Sequence, residues 1–150
     1  MAIPYDHYLN YQEVTEELTK LAAAFPDLVA ISSIGKSFEG RDILLATVTD
    51  RRTGDHSEKP AFWIDGNIHA TEVSAASACL HFIADLTGKY GSDENVTRCL
   101  RTRTYYIVPR MNPDGAELYF AKNPRYLRSS VRPYPFDEEP IAGLDRCDID

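Results

Sequence analysis

Two apolar runs that read as buried strands, Ala61–Ile68 and Thr104–Val108, enclose stretches of helical spacing, and this order constrains the fold most. Val73, Ala76, Leu80 and Ile83 recur at helical intervals and predict a helix over Thr71–Thr87, with Gly88 as its stop. Ser92 is placed to cap a shorter helix through Leu100. Upstream, Leu28–Ile34 and Asp42–Thr49 read as strands, and the glycines of Gly35–Arg41 suit a hairpin connection between them. A hairpin followed by strand–helix–helix–strand is an α/β layer pattern: a mixed, mostly parallel sheet with helices on both faces.

The flanking segments fit that frame. Asn10 and Glu13 have capping-box spacing before the apolar series Val14, Leu18, Leu21, Ala22 and Phe25, which Pro26 ends. Asp50–Pro60 is a polar loop, and Asn112-Pro113-Asp114-Gly115 is a strong turn signal. From Lys122 onward neither helical nor strand period survives, and Pro124, Pro133, Pro135 and Pro140 punctuate the stretch. Residues 1–150 are therefore expected to form one incomplete domain, with 122–150 as an irregular loop or insertion. The ending at Asp148-Ile149-Asp150 reads as a truncation, and two aspartates are too few for a calcium loop.

The chain has 150 residues, 43% hydrophobic and 26% charged, ordinary for a globular protein with a real core. Its net charge of −7 argues against a sequence-independent grip on nucleic acid or an anionic membrane. Neither a membrane span nor a signal peptide is visible, which leaves the compartment open. Cys79, Cys99 and Cys147 are too few and too widely spaced for a disulfide framework or a thiolate zinc site. An uncovered sheet edge in an incomplete domain predicts self-association.

In open α/β sheets, ligands bind beyond the carboxyl ends of the strands. His69 and Glu72 fall at one such end, where a strand hands over to a helix, and Asn112–Gly115 falls past another. Imidazole nitrogen and carboxylate oxygen are both zinc donors, and residues three apart on a rigid corner can converge on one ion. His-x-x-Glu alone has little specificity, since a glutamate at a helix start is favourable there without any metal. His7 and His56 sit in polar surroundings, and His81 is too far along the second helix to join Glu72.

Gly66-Asn67-Ile68-His69-Ala70-Thr71-Glu72 resembles the first metal-binding motif of the zinc carboxypeptidase family. Three other segments are similar to the same family in the same order. They are Tyr5–Tyr11 before the first helix, Ser33–Ile43 at the hairpin, and Val108–Gly115 at the strand and turn. Together they span roughly residues 5 to 130. The resemblance implies one zinc ion held by His69, Glu72 and a histidine that this chain does not contain. It implies hydrolysis of the C-terminal bond of a peptide substrate, with Arg128 stabilising the oxyanion and Arg125 contacting the substrate chain. The family's glutamate base and its groups for the substrate carboxylate are likewise absent, so the 150-residue chain alone is expected to be inactive. Thr71 departs from members that carry a substrate-binding arginine there. A related amidohydrolase of N-acyl amino acids is disfavoured by Ala70 and by the Asn-Pro-Asp-Gly segment. A non-catalytic binding module that keeps the fold is the third alternative.

Overall fold

The computed structural model describes Ile3, Pro4 and residues 6–132. Helix α1, Tyr11–Ala24, begins at a full capping box: the Asn10 side chain accepts the Glu13 N–H at 3.0 Å, and the Asn10 N–H donates to Glu13 Oε2 at 2.8 Å. Its buried stripe includes Val14, Leu18 and Leu21. Strands β1, Val29–Lys36, and β2, Asp42–Val48, form an antiparallel hairpin. Strand β3, Ala61–Asp65, leads through a turn to α2, Ser74–Lys89; α3, Glu94–Thr102, then precedes β4, Thr104–Val108. A short helix α4, Pro113–Tyr119, follows β4.

The sheet order is β1-β2-β4-β3. The expected mixed α/β sheet is present. Among its described pairings β3–β4 is parallel, while β1–β2 and β2–β4 are antiparallel, so the parallel majority is not found in these residues. Alternation places Val29, Ala46, Val48 and Ile107 toward the helices, where they join Leu18, Leu21, Leu80, Ile83 and Leu100 in one core. That core gathers both long helices, α1 and α2, on a single face of the sheet. Strand β3 is an edge, and its Phe62 and Trp63 are more than half exposed. Among the described residues no helix is long and apolar enough to cross a membrane.

Several boundaries differ from the sequence reading, each for a local reason. Strand β3 stops at Asp65 because the chain turns at Gly66 and Asn67, and Asn67 adopts φ 57°. The second helix starts at Ser74, so Glu72 belongs to the preceding turn and not to the first helical turn. Asp93, not Ser92, caps α3, accepting from the Asn95 and Val96 N–H groups, while the Ser92 hydroxyl donates to Lys89 O. The predicted stop at Gly88 is passed over; the chain leaves the helix at Tyr90, and Gly91 takes φ 86°. Asn112-Pro113-Asp114-Gly115 starts α4, with Asn112 as N-cap and Pro113 in its first turn. The irregular stretch predicted from Lys122 is described as far as Arg132. Its remainder, with Cys147, Asp148 and Asp150, lies outside the described residues.

At the end of the sheet away from His69, Asp50 ties β2 to the helical layer. Its N–H donates to Leu100 O at 2.8 Å, and its carboxylate accepts from Arg52 Nε at 2.8 Å and the Tyr90 hydroxyl at 2.5 Å. The Arg52 guanidinium, against the opposing effect of burial and with help from Tyr90, holds this carboxyl down at about 2. An unfolded aspartate titrates near pH ~4, so the folded state gains from ionised Asp50 above that pH and loses the gain as pH falls toward 2. Asp50→Asn is expected to cost about 2 kcal/mol at pH 7, with the difference from the parent shrinking toward pH 2. Urea unfolding across that pH range reads the effect, and a pH-independent difference would contradict it.

Candidate functional site

The turn between β3 and α2 is built by small residues and by backbone pairing. Gly66 N–H extends the ladder to Val108 O at 2.9 Å, and Met111 N–H donates to Gly66 O at 2.9 Å. A Cβ on Gly66 would stand 3.0 Å from Ala75 O and 3.1 Å from Cys79 Sγ, so glycine lets the start of α2 lie against the strand end. Asn67 then reverses the chain in the left-handed region, which asparagine tolerates better than most side chains. Its buried carboxamide donates to His69 O at 2.8 Å and Ala70 O at 3.1 Å. Those bonds fix the peptide units that carry His69.

On this corner His69 Nδ1 lies 3.1 Å from Glu72 Oε2. The imidazole is 21% exposed and the carboxylate 55%. Two donors about 2.0–2.2 Å from a tetrahedral zinc stand about 3.3–3.6 Å apart. The pair is thus within a few tenths of an ångström of the separation that one ion requires, and its donor types suit zinc. Among the described residues no group of three His, Cys, Asp or Glu side chains could hold a metal. The other histidines are placed elsewhere: His7 between Asp6 and Glu13, His56 against the Tyr106 hydroxyl, and His81 within α2.

The arginines predicted from the sequence separate. Ala70 N–H donates to Arg128 O at 2.8 Å, which docks the main chain of Arg128 beside the residue that follows His69. Arg125 donates its N–H to Leu118 O at 3.0 Å and belongs to the exit from α4. Both arginines are exposed.

Three residues that the sequence placed in motifs without giving them individual roles hold this site together. Asn67 shapes the turn, and Asn112 bonds to both segments that carry site residues. The third, Asp114, is 3% exposed and accepts from Ser37 Oγ at 2.7 Å, Glu39 N–H at 2.8 Å and Arg41 Nη1 at 2.7 Å. Burial resists its ionisation, yet those donors keep its carboxyl below the ordinary range. This network joins the β1–β2 loop to the start of α4, so two of the family-like segments are one physical unit. Gly115 completes the packing: a Cβ there would stand 2.6 Å from the Ala70 Cβ. The signal for Asn112 was present as an N-cap residue before proline. Nothing local signals the partners of Asp114.

Comparison with known proteins agrees with this arrangement. Residues 14–137 match the zinc carboxypeptidase family. A zinc carboxypeptidase from Saccharothrix mutabilis subsp. capreolus is 34% identical over 113 residues, which cover 75% of this chain and 26% of that protein. An inactive metallocarboxypeptidase of Saccharomyces cerevisiae is 30% identical over 111 residues, covering 74% of this chain and 26% of the relative. The crystal structure of carboxypeptidase A from Helicoverpa armigera superimposes with a TM-score of 0.75 at 28% identity, covering 89% of this chain and 31% of that one. The chain spans about a quarter of the length of these two relatives. The family match over residues 14–137, with these relatives in sequence and fold, shows that this chain belongs to the zinc carboxypeptidase family.

Proposed function

We propose that this chain supplies the metal-binding corner of a zinc metallocarboxypeptidase, which hydrolyses the C-terminal peptide bond of a peptide substrate. The observation that carries the reading is the 3.1 Å approach of His69 Nδ1 to Glu72 Oε2, on a turn to which the Arg128 main chain is bonded. His69 and Glu72 would hold one zinc ion. When bound, zinc polarises a carbonyl and lowers the pKa of its water to about 7. Arg128 would supply a cation to a scissile carbonyl oxygen as it gains negative charge, a contact worth on the order of 3 kcal/mol in sites of this kind. Arg125, whose N–H bonds to Leu118 O in α4, would contact the substrate chain. A third ligand and a general base are required in addition, so the 150-residue chain by itself hydrolyses no peptide.

A non-catalytic reading draws support from the relative named as an inactive metallocarboxypeptidase. Zinc binding separates the two. Calorimetric titration of the 150-residue chain is expected to show one zinc site of modest affinity, weakened at least tenfold by His69→Ala and by Glu72→Ala. Equal binding by parent and variants would sink the metal assignment. In the complete enzyme, Arg128→Ala is expected to lower kcat by about 10²–10³-fold with zinc content unchanged, in line with loss of an oxyanion donor. An unaltered kcat would remove Arg128 from the chemistry.

The half-exposed Phe62 and Trp63 on the β3 edge support self-association of the 150-residue chain. Light scattering should show mass rising with concentration; a monomer throughout the millimolar range would contradict this.

A further inference from the structure

We infer that Asn112 is a positioning residue that sets the His69–Glu72 pair in register with Arg128. Its carboxamide nitrogen lies 3.3 Å from Ile68 O and 3.1 Å from Ser129 O, and it donates toward both. Ile68 precedes His69 and Ser129 follows Arg128, so one amide group spans two segments that each carry a site residue. Its Oδ1 accepts Gly115 N–H at 3.0 Å as the cap of α4, and its own N–H donates to Asn67 O at 3.1 Å. All of these bonds run to main-chain atoms, so the clamp holds the backbone under the site and leaves the site's side chains to their ligands.

The chemistry requires asparagine in particular. Two carbonyl oxygens converge on the nitrogen, so the group between them must donate twice while its other atom accepts. Aspartate keeps the cap, because a carboxylate oxygen accepts Gly115 N–H equally well. Its second oxygen, however, would face two carbonyl oxygens and repel them. Serine also keeps the cap but is too short to reach both carbonyls. These two substitutions therefore separate the clamp from the helix cap. Ala70 N–H, which donates to Arg128 O, reports whether the Arg128 segment stays docked.

The consequence for catalysis rests on the proposed function, but the clamp itself does not. Amide hydrogen exchange of the metal-free 150-residue chain, followed residue by residue by NMR, tests it. In Asn112→Asp and Asn112→Ser the Ala70 amide should exchange roughly tenfold faster or more, as expected for losing bonds of ordinary strength. The Gly115 amide should stay within about threefold of the parent, and the Leu80 and Ile107 amides should be unchanged. Parent-like protection of Ala70 in both variants would overturn the assignment. So would a joint loss of protection at Ala70, Gly115 and Ile107, which would make Asn112 a residue of general stability. Since no metal is present, this experiment can fail while the zinc titration succeeds, and the reverse.

Discussion

A carboxylate buried among three donors underlies the site. Asp114 is taken out of water beside the start of α4, and the loop Ser37–Arg41 supplies a hydroxyl, a main-chain N–H and a guanidinium to it. A buried charge left without such partners costs several kcal/mol, so this loop and α4 hold each other in place. Because Asn112 caps α4, fixing α4 fixes the asparagine that bonds to the segments of His69 and Arg128. The hairpin, remote from His69 and Glu72 in sequence, thereby becomes part of the support of the site.

Close packing does the remaining work. Gly66 admits the start of α2, Gly115 admits Ala70, and Asn67 takes the left-handed conformation that turns the chain between them. Side chains at either glycine would push apart the segments whose spacing sets the Nδ1 to Oε2 distance. The small residues around His69 thus have a geometric reason that is independent of catalysis.

What was legible in the sequence was local. Helix α1, the β1–β2 hairpin, strand β4 and the His69–Glu72 pair follow from periodicity, capping and spacing, all of which act within a few residues. The misreadings lie where two local signals compete or where the partner is distant. Ser92 and Asp93 are both good caps, and the choice fell to Asp93 because Ser92 bonds back to Lys89 O. Proline and glycine after Asn112 read as a turn, although proline in a first helical turn is equally consistent. Asp114 finds its partners more than seventy positions away, so its role emerges only from the fold. Hydrophobic alternation likewise marks a buried face of each strand without saying which helix covers it, so the packing of both α1 and α2 on one core comes only from the fold.

We propose above that this corner holds one zinc ion between His69 and Glu72. Anomalous diffraction at the zinc edge, from crystals of the zinc-loaded chain, tests it most directly. The account predicts a peak about 2.0–2.2 Å from both His69 Nδ1 and a Glu72 carboxylate oxygen, on a turn otherwise unchanged. Zinc bound elsewhere, with His69 and Glu72 still paired to each other, would contradict it.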